Sequence, residues 1–106
     1  MTVDVELKKI DGIRECVLHN REGVPFGKSS YIGETIAAQG SYLAMFGNRL
    51  GGIIGVGEMR SATVEGKQQH LLIYESRANG YLSITVDGEQ HLGAVEGKIR
   101  AVFTKK

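Results

Sequence analysis

The first stretch whose residue types could perform chemistry runs from Gly23 to Ser29, with the sequence GVPFGKS. A phosphate-binding loop of the P-loop type has four residues between its glycines, so that successive backbone amides can wrap a phosphate. Here three residues separate Gly23 from Gly27, and one of them, Pro25, has no amide hydrogen to donate. We therefore interpret this stretch as a turn that leads into a helix cap rather than as a nucleotide site.

A second glycine-rich stretch, Gly51 to Gly57, has the sequence GGIIGVG. A dinucleotide-binding loop requires a third glycine where Arg60 stands, and it must follow a strand and precede a helix. The predicted order here is the reverse, a helix followed by a strand. The pattern therefore favours a flexible connection.

The remaining side chains that could bind a metal or act as nucleophiles are dispersed. His19, His70 and His91 lie on three different predicted elements, without a carboxylate or cysteine at ligand spacing. Cys16 lies in an apolar run and is interpreted as a core residue. Neither paired carboxylates nor a Ser–His arrangement follows from spacing alone, so we predict no catalytic residue, no cofactor and no metal.

Length and composition limit the class of protein. The 106 residues suffice for one domain over residues 1–106, and a net charge of +1 argues against a nucleic-acid binder. The most apolar window, around Ala44 to Val56, contains Asn48 and Arg49, so we expect no membrane span. The N-terminus lacks the charged-then-apolar pattern of an export signal, so we expect none. A single cysteine, Cys16, excludes an intrachain disulfide and suits a reducing cytoplasm.

The elements are organised around a long predicted helix from Tyr31 to Gly51. At about 3.6 residues per turn its bulky apolar residues form one stripe, of which Phe46 is a member. The other members of this bulky stripe are expected to hold a sheet: Ile32, Ile36, Leu43 and Leu50. A second stripe consists of small residues: Gly33, Ala37, Gly40, Ala44, Gly47 and Gly51. Because an interior glycine costs a helix about 1 kcal/mol relative to alanine, close backbone approach must offset the cost. That approach could be to a sheet within the monomer or to a second helix across a dimer axis.

The other patterns predict helices and strands on either side of this central helix. They indicate a helix over 3–11, strands over 13–20, 24–28, 58–65, 69–76 and 81–86, and a last helix after Asp87. Pro25 cannot donate to a sheet ladder, so the second strand should lie at an edge. Asn79-Gly80 predicts a type I′ hairpin turn, and Lys105 and Lys106 suit the C-terminal dipole of the last helix. Short turns between strands imply an antiparallel sheet in an α+β domain.

Four phrases occur in an informative order. They are residues 12–25 (GIRECVLHNREGVP), Glu34 to Ala38, Gly57-Glu58-Met59 and Leu92-Gly93. Together they resemble the roadblock / dynein light chain family of small longin-like domains, whose first hairpin has a similar Arg-Glu-Gly turn. The resemblance covers nearly the whole chain.

The resemblance implies a fold and an assembly. The fold is a five-stranded antiparallel sheet with a long central helix on one face and two terminal helices on the other, in the order α-β-β-α-β-β-β-α. The assembly is a homodimer in which the third strands pair edge to edge and the central helices lie side by side. The expected dimer interface is then Gly33, Ala37, Gly40, Ala44, Gly47, Met59, Ser61 and Thr63.

The resemblance also implies a function, because family members are generally not enzymes and instead regulate or scaffold Ras-like small GTPases. We therefore expect a non-catalytic, homodimeric, cytoplasmic regulator or scaffold of such a GTPase. Aromatic, Met and Arg side chains are enriched in interfaces, which favours four residues opposite or beside the bulky stripe as the partner-binding set: Tyr31, Tyr42, Met45 and Arg49. Alternatively, Tyr31 and Tyr42 cover the edge of the sheet.

A second hypothesis is a longin- or profilin-like sensor that binds a small ligand in a pocket beside the sheet. The stretch from Gly51 to Gly57 would then be the mobile wall of the pocket. Retention of a small GTPase would favour the first hypothesis, and retention of a metabolite through purification would favour the second.

Overall fold

The computed structural model describes residues 3–27, 29–76 and 80–104. Its elements are α1 (Val3–Lys8), β1 (Ile13–Asn20), α2 (Tyr31–Ile54), β2 (Ser61–Glu65), β3 (Gln69–Ser76), β4 (Gly80–Asp87) and α3 (Leu92–Thr104). The strands predicted over 13–20 and 69–76 are confirmed at both ends. Four residues used in the predictions lie outside the described residues: Lys28, Asn79, Lys105 and Lys106.

The strands form one antiparallel sheet in the order β1-β4-β3-β2. In β4, an inner strand, every residue from Gly80 to Val86 is buried, because helices cover both faces of the sheet there. β2 lies at one edge and is largely exposed. The predicted α+β class with an antiparallel sheet is confirmed.

The sheet has four strands, so the predicted five-stranded sheet and the order α-β-β-α-β-β-β-α are wrong. The segment predicted as the second strand forms only an isolated bridge between Pro25 and His19. Two backbone hydrogen bonds accompany it, from Phe26 N to Leu18 O and from Asn20 N to Val24 O, both 2.9 Å. Pro25 has no amide hydrogen with which to continue the ladder. Glycines with positive φ on either side, at positions 23 and 27, also turn the chain away from an extended conformation.

β1 is the other edge of the sheet and is irregular at both ends. Beside its last residues, from Leu18 to Asn20, lies the short segment Val24 to Phe26. At its beginning, the register with β4 shifts between Ile13 and Glu15, which marks a β-bulge. A straight, unprotected stretch of edge is therefore confined to the middle of β1.

The two faces of the sheet pack against different helices. On one face, α1 and α3 pack in a core that contains Leu7, Cys16, Leu72, Leu82, Ile84, Val86, Val95 and Ile99. On the other face, α2 packs through Ile36 and Ala37 on Val17, and through Ala44 on Ile73 and Tyr81. The order of layers is thus α2, then the sheet, then α1 with α3.

Both ends of α2 have well-defined caps. The Ser30 hydroxyl accepts a hydrogen bond from Gly33 N at 3.0 Å, and Gly55, with φ of 84°, ends the helix in the left-handed conformation. The helix continues past its predicted end through Gly51 and Gly52 to Ile54. Gly51 is packed against the carbonyl oxygen of Gly57, so its lack of a side chain serves close packing rather than a break. The expectation of a flexible connection beginning at Gly51 is therefore corrected.

Candidate interaction surface

The small residues of α2 lie against the sheet of their own chain. Gly33, Ala37, Gly40, Ala44 and Gly51 are all buried. A Cβ atom on Gly40 would overlap the Ser83 hydroxyl and lie 2.9 Å from His19 Nε2. A Cβ atom on Gly33 would lie 3.4 Å from Val17 Cγ2. The stripe of small residues therefore sets a close approach of the helix backbone to β1 and β4.

These contacts bear on the prediction that the small stripe admits a partner's helix. Four of its members are covered by their own chain: Gly33, Ala37, Gly40 and Ala44. Gly47 is partly covered as well, because the Met59 side chain packs where a Cβ of residue 47 would lie. The alternative, close approach to a sheet within the monomer, is what the structure shows. Tight packing there offsets the helix cost of the glycines.

A buried polar pair lies directly beneath Gly40. His19 Nδ1 lies 2.8 Å from the Asn20 carbonyl oxygen, which can only accept, so Nδ1 carries the proton. In the neutral ring Nε2 then accepts from the Ser83 hydroxyl at 2.7 Å. Burial lowers the pKa of His19, and the hydrogen bond to Asn20 opposes that shift. Both side chains have no exposed surface, so the pair joins β1 to β4 beneath the helix and presents no nucleophile to solvent.

Sequence reasoning missed this Ser–His contact. The two residues are 64 positions apart, and only the register between β1 and β4 brings them together. No spacing rule indicates such a pair.

A second polar network anchors the C-terminal half of α2. Asn48 Nδ2 donates to the Tyr81 hydroxyl at 3.2 Å, and Asn48 Oδ1 accepts from Met59 N at 2.8 Å. The Arg21 guanidinium lies 5.6 Å from the centroid of the Tyr81 ring, within the range of a cation–π contact. Asn48 therefore joins the helix both to the sheet and to the segment that leads into β2.

The bulky stripe of α2 does not hold the sheet as predicted. Of the four residues expected to do so, Ile36 is buried and Leu43 is half-buried, whereas Ile32 and Leu50 are 57% and 56% exposed. Phe46 is 63% exposed. The small stripe therefore faces the sheet and most of the bulky stripe is exposed, because the glycines let the helix backbone approach the sheet closely.

The result is a large apolar surface on one helix. Its side chains are each more than half exposed: Tyr31, Ile32, Tyr42, Met45, Phe46, Leu50, Ile53 and Ile54. Val56, just after the helix, continues the surface. Contiguous exposed apolar patches on a globular domain mark interaction sites.

This surface has two parts that point in different directions. Successive helical residues are rotated by about 100°, so their angles around α2 follow from position. We name as the β2-side ridge Ile32, Phe46, Leu50 and Ile54, which lie on the same flank as Leu43. Leu43, Met59 and Ala62 all pack against the cluster of Ala44, Ile73 and Tyr81, which places this flank on the side of β2. We name as the outer face Tyr31, Tyr42, Met45, Arg49 and Ile53, which lie opposite the buried small stripe.

The edge strand β2 continues the ridge. Ser61, Thr63 and Val64 are exposed, and β3 is the only strand paired with β2 among the described residues. Ala62 packs toward α2, and Val64, which points to the same face, is half-exposed. The backbone groups on the open side of β2 and the apolar ridge thus lie beside one another.

The predicted partner-binding residues Tyr31, Tyr42, Met45 and Arg49 all lie on the outer face and are all exposed. Tyr31 is 83% exposed and Tyr42 is 63% exposed, so neither covers the edge of the sheet. The Tyr42 ring makes an edge-to-face contact with Phe46, with centroids 6.1 Å apart, which joins the outer face to the ridge. Tyr42, Met45 and Arg49 lie within two turns of one another, whereas Tyr31 lies about 16 Å away from Tyr42 along the helix axis.

The described ranges also bear on three other features: a metal site, a reactive cysteine and a membrane span. No group of three or more His, Cys, Asp and Glu side chains there could hold a metal ion. Cys16 is buried, as predicted for a core residue. Of the helices in the described part of the chain, none combines the length and apolarity needed to cross a bilayer.

Comparisons with known proteins agree with this architecture. Residues 1–86 match the sequence profile of the Roadblock/LC7 domain. The fold is similar to that of the Roadblock/LC7 domain from Streptomyces avermitilis, with a TM-score of 0.80 and 18% identity, covering 97% of this chain and 90% of that chain. It is also similar to the gliding protein MglB from Thermus thermophilus, with a TM-score of 0.77 and 19% identity, covering 94% of this chain and 79% of that chain.

A structure of MglB with a tetrameric arrangement is similar to the same degree, with a TM-score of 0.77, 19% identity and coverage of 94% and 79%. No curated protein sequence gives a significant match. At these identities the solved structures show the fold, and the profile match supplies the family. The chain belongs to the Roadblock/LC7 domain family.

Proposed function

We propose that this chain, as a single module over residues 1–106, is a non-catalytic, homodimeric and cytoplasmic regulator or scaffold of a Ras-like small GTPase. The observation that carries the proposal is the exposed apolar surface of α2. An exposed apolar surface of this kind is typical of a protein that binds a partner. Family membership supports the choice of partner. The buried position of the His19 and Ser83 side chains supports a binding role over a catalytic one.

The β2-side ridge and the open edge of β2 are the proposed dimer interface. An antiparallel pair of β2 strands centred on Thr63 would place Ser61 of each chain opposite Glu65 of the other. This register keeps the two Glu65 carboxylates apart, because like charges directly opposite each other destabilise a strand pair. In this dimer the two α2 helices contact each other through the bulky residues of the ridge instead of through the small stripe. The tetrameric arrangement of the related MglB supports self-association within this fold.

The outer face is the proposed surface for the GTPase. In a dimer made through the ridge and β2, the outer face of each α2 remains exposed, because it points away from the sheet and lies about 90° around the helix from the ridge. Tyr31, Tyr42, Met45 and Arg49 are of the types that dominate the energetics of protein interfaces.

The experiment is a binding assay with the immobilised chain and a panel of purified Ras-like GTPases, each loaded with GDP or a non-hydrolysable GTP analogue. We expect retention of at least one GTPase with a preference for one nucleotide state. Hydrolysis rates measured with and without the chain then separate a regulator from a scaffold. Tyr42→Asp should abolish retention, and Lys98→Asp on α3 should not. Failure of every GTPase in both states would contradict the proposal.

The alternative of a small-ligand sensor finds less support. In this hypothesis the stretch from Gly51 to Gly57 is the mobile wall of a ligand pocket. The first four of these residues belong to α2, however. The amide groups of Val56 and Gly57 both donate to Gly51 O, at 2.9 and 3.1 Å. A small molecule that remains bound through purification, together with no GTPase binding, would favour this alternative.

A further inference from the structure

The outer face of α2 has an unusual distribution of charge. Between Glu34 and Glu58 the sequence contains a single charged residue, Arg49. Arg49 is exposed, and it lies one helical turn from both Met45 and Ile53, which are 59% and 76% exposed. One cation therefore stands within an apolar patch.

Arg49 has no ionic partner in the described part of its own chain. No carboxylate among the side chains that the structure describes forms an ion pair with it. Two other arginines are engaged, since Arg14 pairs with Asp87 at 3.7 Å and Arg21 lies over the Tyr81 ring. The guanidinium of Arg49 is thus available to a group from outside.

Any surface that covers Met45 and Ile53 also covers the stem of Arg49, because the three residues occupy consecutive turns of one helix face. Covering the guanidinium removes water from it, and an unpaired charge in an interface is strongly unfavourable. A carboxylate satisfies a guanidinium with two parallel hydrogen bonds. The partner must therefore provide an acidic group among apolar ones.

We infer that the outer face of α2 binds an apolar protein surface that carries a carboxylate paired with Arg49. The inference rests on the proposed function, so the surface belongs to the small GTPase retained in the binding assay. The β2-side ridge and β2 already account for a second copy of the chain, which leaves the outer face to this different partner.

The test measures the affinity of that GTPase for the full chain and four variants. Arg49→Glu should weaken binding at least about tenfold, because it sets two carboxylates against each other. Arg49→Lys should weaken binding only about threefold, since it keeps the charge but loses the planar fork. The matched control is Arg100→Glu on α3, an exposed arginine on the opposite side of the sheet, which should leave the affinity unchanged. Circular dichroism and size measurement establish that each variant is folded and retains its oligomeric state.

Raising the salt concentration should weaken GTPase binding by the unmodified chain more steeply than binding by the Arg49→Gln variant, because salt screens the ion pair. If Arg49→Glu is folded and binds within about twofold of the unmodified chain, or if Arg100→Glu loses as much affinity, the inference is overturned while the proposed function stands. If Arg49→Glu changes the oligomeric state, the face belongs to a second copy and the inference is also overturned. If the unmodified chain binds no GTPase, the proposed function fails and takes the inference with it.

Discussion

At the middle of α2, Gly40 determines how closely the helix can approach the sheet. Its Cα faces the Ser83 hydroxyl and the His19 ring, both fully buried. Gly52, in the same helix, faces open space, with no atom within 4 Å of where a Cβ would lie. Close packing therefore requires a glycine at position 40 but not at position 52.

Substitution of each glycine by alanine should change stability in opposite directions. Gly40→Ala should lower the free energy of unfolding by about 1–3 kcal/mol, because the methyl group would separate helix and sheet. Gly52→Ala should raise it by up to about 1 kcal/mol through helix propensity alone. Urea unfolding followed by circular dichroism measures both. A Gly40→Ala variant at least as stable as the unmodified chain would show that α2 is not packed as described.

The buried His19 predicts a pH dependence of stability. Its pKa is lowered in the folded chain, whereas in the unfolded chain it lies near 6.5. Unfolding therefore takes up a proton below pH 6.5. The stability is complete above that pH and falls as the pH decreases toward the lowered pKa, by at most about 1.4 kcal/mol per pH unit for this group. Urea midpoints at several pH values measure the fall, and NMR titration of the ring measures the pKa directly. A ring that titrates at or above its ordinary pKa would refute the prediction.

At the scale of elements, Leu7 anchors the short helix α1. Leu7 is fully buried and packs in the core with residues of α3 and the sheet. Lys8, its neighbour, forms an ion pair with Glu15 at 3.4 Å that is open to solvent. The two adjacent residues allow a matched comparison of core packing with surface charge.

Leu7→Ala should lower the free energy of unfolding by about 2–5 kcal/mol, the range for a leucine removed from a core. Lys8→Ala should change it by less than about 1 kcal/mol, because solvent screens exposed ion pairs. Thermal and urea unfolding of both variants provide the measurement. Equal effects of the two substitutions would mean that α1 does not dock against α3 and the sheet.

The sequence was sufficient to predict the elements whose ends are set by local chemistry. The first and third strands of the sheet in chain order were predicted at both ends, because apolar runs there are bounded by turn residues. The strand predicted around Pro25 is too long, because this segment pairs with β1 through only one isolated bridge. The end of α2 was predicted too early, because the packing of Gly51 on Gly57 depends on a tertiary contact.

The candidate surface was harder to predict for a different physical reason. Periodicity fixes the angle between the bulky and the small stripe of α2, but it does not say which stripe meets the sheet. Burial of bulky residues is the usual solution, and it fails here because the close-packed glycines contribute the contact and leave Phe46 and Leu50 outside. The position of Tyr42 and Arg49 together on one exposed face did follow from the sequence. The Ser83–His19 contact did not, since it depends on strand register.

At the scale of the whole molecule, the two sides of the sheet differ in completeness. On the side of α1 and α3, one continuous core contains most of the large buried side chains. On the side of α2, two smaller clusters are formed, and most of the bulky side chains of the helix are exposed. The molecule therefore has one continuous core on one side of the sheet and a large exposed apolar surface on the other.

This asymmetry predicts a dimer whose stability depends on concentration. Phe46→Asp and Leu50→Asp should each convert the dimer to a monomer, because a carboxylate would be buried in the ridge contact. The control Lys98→Asp lies on the opposite side of the sheet and should remain a dimer. Sedimentation equilibrium measures the assembly, and the melting temperature of the unmodified chain should rise with protein concentration. A monomer at every soluble concentration would contradict the proposed interface.

The irregular edge at β1 has a consequence for how far such assembly can proceed. A sheet that is open at both edges can add copies at each end without limit, which is how fibrils grow. Here the segment with Pro25 occupies one end of the β1 edge, and the bulge near Ile13 twists the other end. Strand addition is thereby left to the β2 edge. In the proposed dimer, in which two copies join there, only the short middle of each β1 would stay open, so the assembly would stop at a pair instead of growing into a polymer.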